Sequence, residues 1–205
     1  MLGKAPRSPT SETEPGVAAA VEGAAFREAI AHFATGVTVI TTRQGDRLSG
    51  MTASAVASLS LDPVLLLVCI NNRLPAHEAI EGSRRFVVNV LGEGQQELAL
   101  HFARPSPDKF AGVPLKPDQE LPVLDDAIAY FVCDVHERFP GGDHSIFTGL
   151  VRECGAVPGR RPLVYFRSGF GSIRDQQAEE LDEAMLWHAG SAGALGSVQI
   201  GSRPR

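Results

Sequence analysis

The feature that most constrains the fold is a run of short β-rich segments broken by tight turns between residues 24 and 173. Residues 37–42 (VTVITT) are β-branched at every position, which suits a pleated surface and disfavours a helix. Gln44-Gly45-Asp46 reads as a hairpin turn, with Arg47 to Val56 as the returning strand. Leu59 to Ile70 holds Asp62-Pro63 and then the apolar run Val64 to Ile70, expected to be buried. Arg85 to Leu91, Ala127 to Phe139, Ser145 to Cys154 and Pro162 to Arg167 read as further strands, with Pro140 to Asp143 as a turn. Phe26, Ile30 and Phe33 fall at i, i+4, i+7, a helical stripe closing at Gly36. Two more short helices are expected near Ala76 to Ile80 and Gln95 to Phe102. About seven strands with few, short helices argue against alternating βαβ units. They favour a mainly β, antiparallel fold closed into a barrel, because closure removes edges.

Composition narrows the function. Nineteen Lys and Arg against 24 Asp and Glu leave a net charge of −5, without the basic cluster of a nucleic-acid binder. The longest apolar run is too short to cross a membrane. Three cysteines without paired spacing fit a reducing cytosol rather than a disulfide framework, and no Cys/His group has zinc spacing. Residues 1–23, rich in Ala, Pro, Ser, Thr and Glu, read as a flexible leader. Residues 174–205 read as a tail in which 175–188 could form a short acidic helix, either a frayed appendage or a partner contact.

Four segments could carry chemistry. In Gly50 to Ala55 and Ser58 to Pro63, small and hydroxyl residues crowd what should be strand. Thr52, Ser54, Ser58 and Ser60 share parity, so one regular strand would turn them to one side. That makes either a wall for a flat polar ligand or a Ser/Ala edge facing water. Cys69 to His77 leads from a strand through Asn71, Asn72 and Arg73 to a helix start. Backbone N–H groups there, with Arg73 or His77, could hold a phosphate; a solvated loop is the plainer reading. Gly141-Gly142-Asp143-His144 sets a histidine beside a glycine turn, with no Ser, Cys or second His to make a triad or ligand pair. Tyr165 to Gly171 sets aromatics and Arg167 around two glycines, where Arg167 meets either a phosphate or a surface partner.

In order along the chain come Phe33 to Thr42 (FATGVTVITT), Gly50 to Ala55 (GMTASA), Ser58 to Pro63 (SLSLDP), Arg85 to Leu91 (RFVVNVL), Lys109-Phe110, Gly142-Asp143-His144 and Leu163 to Arg167 (LVYFR). This ordered set resembles the short-chain flavin reductase family, over about residues 24–173. The family's members are NAD(P)H:flavin oxidoreductases, many of them reductase components of two-component flavin monooxygenases. The resemblance implies a split β-barrel, a homodimer, and FMN or FAD reduced by NADH or NADPH.

It sets the isoalloxazine against Thr35, Gly36 and Val37 and against Thr52, Ala53 and Ser54. Ser58, Leu59 and Ser60 would line the ribityl and phosphate side. The loop carrying Asn71, Arg73 and His77 would reach the phosphate. Asn89 and Phe110 join the cofactor-binding set, and His144 with Tyr165, Arg167 and Phe170 would border the nicotinamide. His144 would orient the dinucleotide or handle a proton. Rival readings are a flavin-holding barrel without turnover and an oxidase using bound FMN. The family usually carries hydroxyls in the loop before the histidine, where this chain has Leu74 and Ala76 around Pro75. Losing two such donors would cost roughly one to three decades of flavin affinity.

Overall fold

The computed structural model describes residues 20–173. The leader up to residue 19 and the tail helix expected at 175–188 lie outside the described residues. Helix α1 (Gly23–Ile30) precedes β1 (Thr35–Gly36), β2 (Thr38–Gln44), β3 (Arg47–Ala53), β4 (Val56–Leu61) and β5 (Val64–Asn71). Helix α2 (Pro75–Ser83), β6 (Arg85–Val90) and α3 (Gln96–Ala103) follow. Then come β7 (Ala129–Gly141), β8 (His144–Ala156), β9 (Val164–Phe166) and β10 (Gly169–Gly171). Ten strands stand where seven were expected: the segment at 47–61 divides in two, and short strands form at Thr35 and Gly169.

All pairings in the two sheets are antiparallel. The seven-stranded sheet runs β3-β2-β6-β7-β8-β5-β4, so its two edge strands are consecutive in the chain. The chain leaves β2 at Ala53, crosses Ser54-Ala55, and pairs with β5 from Val56 onward. The Ala55 carbonyl already accepts from Cys69 N–H at 3.0 Å. One continuous segment thus serves both edges and draws the sheet into a barrel. The strand expected to return over 47–56 therefore ends at Ala53, because its partner changes there.

Alternation separates two apolar layers. Ile40, Leu66, Val68, Ile70, Phe86, Val88, Cys133, Val135 and Phe147 fill the interior. Val37, Val39, Leu91, Ala99, Phe102 and Leu124 form an outer layer beneath α3. Both faces of β2 are thus covered, which explains its unbroken β-branched run. The run Val64 to Ile70 behaves differently from expectation. Only Leu66, Val68 and Ile70 are buried; the alternate residues are half-buried and Val64 is exposed, so among the described residues the outer face is only partly covered. The stripe Phe26, Ile30, Phe33 lies on or just past α1, but all three are exposed, and the helix ends at Ile30 rather than reaching Gly36. The chain must extend by Thr35 to pair with Tyr165.

Asn89 joins three elements. Its Nδ2 donates to the Val39 carbonyl and Thr41 Oγ1, each at 3.0 Å, and its Oδ1 accepts from Leu124 N–H at 2.8 Å. It is fully buried. Both N–H donors and one Oδ1 lone pair are engaged inside the protein, so the amide expected to bind cofactor instead pins β2, β6 and the 121–124 segment, and it lines neither cavity described below. Replacing Asn89 with Ala leaves the Leu124 N–H buried and unpaired. The urea midpoint should fall by the equivalent of about 2–3 kcal/mol at unchanged m-value; a shift under about 0.5 kcal/mol would contradict this role.

Candidate functional site

Gly50 begins the site. A Cβ there would lie 2.7 Å from the Phe102 ring and 3.2 Å from Phe110, so only glycine lets α3 and the 103–110 segment lie against β3. Phe110 packs edge-on against Phe102 at 5.3 Å. The gap left between β3, the start of α2 and this segment is a cavity of about 440 Å³, within the range of ligand sites. Leu48, Met51, Leu74, Ala76, Pro107 and Phe110 give it apolar walls. A second cavity of about 330 Å³ shares Arg47, Ser49, Leu74 and Pro75 with the first and adds Gln44, Asn72, Arg73, Glu78 and Ala79. Among the described residues, neither the Arg47 nor the Arg73 guanidinium makes a hydrogen bond or ion pair.

Beside the second cavity, the turn Gly142-Asp143 joins β7 to β8, with Gly142 at φ +70°. His144 opens β8 and pairs across the ladder with Asn71. Its Nδ1 lies 2.7 Å from Asp143 Oδ1. The His144 hydrogen bond, with its charge, holds the Asp143 carboxyl below the ordinary carboxylate range; Arg73 adds to this. Asn72 N–H donates to the Asp143 carbonyl at 3.0 Å. The Ser145 hydroxyl donates to Asn72 Oδ1 and accepts from His77 Nε2, each at 2.9 Å. His77 is buried edge-on against Phe147. The expectation that His77 reaches a phosphate is therefore corrected: its ring faces inward and fixes the loop through Ser145.

A third group forms the three-stranded sheet β1-β9-β10. Thr35 pairs with Tyr165, Gly36 with Val164, and Phe170 with Tyr165. Tyr165 and Phe170 rings meet at 5.6 Å and both are exposed. Thr35 Oγ1 is the one buried side-chain polar atom without a partner among the described residues. The β9–β10 turn holds Arg167 and Ser168 at φ +48° and +61°, a region costly for residues with a Cβ. The residues just past α1 secure it: Arg167 N–H donates to the Ala31 carbonyl at 2.9 Å, and its guanidinium donates to His32 Nε2 at 2.6 Å. The Arg167 head is thus engaged by His32, just past α1, rather than standing free for a phosphate.

The hydroxyl stretch departs most from its expectation. Thr52 Oγ1 donates to the Ala99 carbonyl at 2.5 Å, toward α3. Ala53 is buried, and Ser54 sits in the step where the chain changes partner. A register shift between Ser58 and Ser60 breaks the parity of β4. Ser58 and Leu59 are exposed, and Ser60 Oγ accepts from Asp62 N–H. The four hydroxyls do not share one face. Among the residues lining the first cavity, Gly50 and Met51 lie in a segment singled out in the sequence and Leu74 was noted as a departure, but none was named as a site residue; Arg47, which follows a hairpin turn, carried no signal beyond its local structure.

The fold and cavities define a mainly β split barrel with a ring-sized, largely apolar-walled cavity beside a second one lined by Arg47 and Arg73. Residues 30–174 match the flavin reductase like domain model, and the chain belongs to that family. It is 44% identical over 151 residues to the reductase component of a 4-nitrophenol 4-monooxygenase/4-nitrocatechol 2-monooxygenase from Rhodococcus opacus, covering 74% of this chain and 81% of that one. It superposes with a TM-score of 0.73 and 38% identity on a homologue of nitrilotriacetate monooxygenase component B from Mycobacterium thermoresistibile, covering 78% and 93% of the two chains. An NADH:FAD oxidoreductase of Streptomyces globisporus, solved with NAD and FAD fragments, aligns with a TM-score of 0.69 at 34% identity, covering 76% and 93%. The residues present fit a flavin: the apolar cavity suits the ring system, and the guanidiniums suit a phosphate.

His77→Phe keeps the packing against Phe147 but removes the bond to Ser145. Exchange of the Asn72 amide should accelerate roughly tenfold, for a loss of ~1.4 kcal/mol locally. Unchanged protection in native-state hydrogen exchange would remove His77 as the anchor of this loop.

Proposed function

We propose that this chain is an NAD(P)H:flavin oxidoreductase, taking FMN or FAD with NADH or NADPH and passing reduced flavin to a flavin-dependent monooxygenase. The observation that carries the proposal is a pair of neighbouring cavities that share Arg47, Ser49, Leu74 and Pro75, the first walled largely by apolar side chains and the second lined by the Arg47 and Arg73 guanidiniums, neither of which makes a hydrogen bond or ion pair among the described residues. When bound, the flavin and reduced nicotinamide supply the chemistry themselves, a hydride passing from nicotinamide C4 to flavin N5.

The protein binds and orients. Met51, Leu74 and Phe110 exclude water around the ring, and Gly50 lets the backbone come close. Arg47 and Arg73 hold the phosphate end in place of the hydroxyls absent at Leu74 and Ala76. His144, fixed by Asp143 and the pairing to Asn71, orients the dinucleotide from the rim. Tyr165 with Phe170 offers a second, aromatic surface for it.

The working unit is a homodimer in the cytoplasm. Phe26, Ile30 and Phe33 on and beside α1, and Leu59, Leu61 and Val64 on the β4–β5 hairpin, supply exposed apolar surface that a second copy would cover. Among the described residues no helix is long and apolar enough to cross a membrane.

Steady-state NAD(P)H oxidation across the four cofactor pairings tests the reading, and turnover is expected in at least one. Tight flavin binding without oxidation in any pairing would favour a non-catalytic module. Arg47→Ala and Arg73→Ala should each raise the KM for FMN roughly five- to tenfold and leave riboflavin unchanged, since exposure discounts a charged contact. His144→Ala should lower kcat/KM for NAD(P)H more than it weakens flavin binding; an unchanged kcat/KM would exclude His144.

A further inference from the structure

Lys109 sits where three walls of the larger cavity meet. Its Nζ donates to the Gly50 carbonyl of β3 at 3.1 Å and to the Phe102 carbonyl in the last turn of α3 at 2.7 Å. Its own carbonyl lies 2.8 Å from His101 Nε2. An ammonium has three donors, so one remains. The side chain is half-buried and lines the cavity, and burial holds its pKa below the ordinary lysine value.

Among the described residues, Lys109 meets no carboxylate. Asp108, also on the cavity, has Oδ1 engaged by the N–H groups of Phe110 and Ala111. Asp46 and Arg47, the other charged residues on this cavity, sit at the β2–β3 turn. A cation held by carbonyl dipoles with no counter-ion projects its charge into the adjoining space, more strongly as water is excluded.

We propose that the Lys109 ammonium is the fixed charge that favours reduced over oxidised flavin in this cavity. The inference rests on the flavin reading above. In the transfer, the C4–H bond of the dihydronicotinamide breaks, and its electron pair forms the N5–H bond. The nicotinamide becomes a cation, and the flavin ring system gains one negative charge. No proton need move. A fixed cation therefore binds the product ring more tightly than the neutral oxidised ring, which is stabilisation where charge develops.

Anaerobic titration measures affinity for oxidised FMN and for chemically reduced FMN in wild type, Lys109→Met and Lys109→Arg. Lys109→Met should lose roughly tenfold more affinity for reduced than for oxidised FMN, a fall of ~30 mV in the bound two-electron potential. Lys109→Arg should keep the wild-type ratio within about twofold. Equal loss for both forms would make Lys109 a packing residue and overturn the proposal, as would an unchanged ratio in Lys109→Met. Lys109→Gln, which keeps an amide donor without the charge, makes the same comparison if the Met variant does not fold. Wild-type protein that binds neither form would overturn the flavin reading itself; binding with no charge-dependent ratio overturns only this inference.

Discussion

Everything in this molecule depends on one segment pairing with two partners. Residues 47–61 pair with β2 through Ala53 and with β5 from Val56, so the sheet has no free length of chain between its edges. A two-residue step thus ties the two edge strands, β3 and β4, to each other through the chain. The curvature this imposes has two consequences. Alternate residues of β2, β5, β6 and β7 turn into one closed core, and the outer faces of β2 and β6 receive α3 and the 121–124 segment. Asn89 then locks that outer layer to the sheet with three buried hydrogen bonds.

The site follows from the same closure. Where β3 runs toward the step, a glycine permits the 103–110 segment to approach, and the cavity opens between them. The charges are placed by turns rather than by the regular core. Arg47 follows the β2–β3 turn, Arg73 lies between β5 and α2, and His144 follows the β7–β8 turn. Function is carried on connections that a rigid barrel holds in place. Among the described residues, apolar side chains on α1 and the β4–β5 hairpin are left exposed on the barrel's outside.

Much of the fold was legible because its signals are local. The β-branched run at 37–42, the Gly45 and Gly142 turns, and the two short helices are each written within a few residues. The mainly β barrel and its antiparallel pairing followed. The partner switch at Ser54-Ala55 was not legible, since nothing in a Ser-Ala pair marks a strand changing neighbours. That one event undid the parity argument for Thr52, Ser54, Ser58 and Ser60, and the bulge near Leu59 completed it. His77 and Asn89 stand in family motifs, but their roles depend on partners 68 and 35 to 50 residues away. Arg167 was visible as a cation, whereas its capture by His32 arises only in three dimensions. The cationic cavity was half-read: Arg73 was found within its loop, and Arg47 looked like the flank of a hairpin.

The most direct test of this account is a crystal structure of the protein soaked with FMN. The ring should lie in the cavity between Met51, Leu74 and Phe110, with its phosphate against Arg47 and Arg73. A flavin found on the β4 face at Ser58 to Ser60, with this cavity empty, would contradict it.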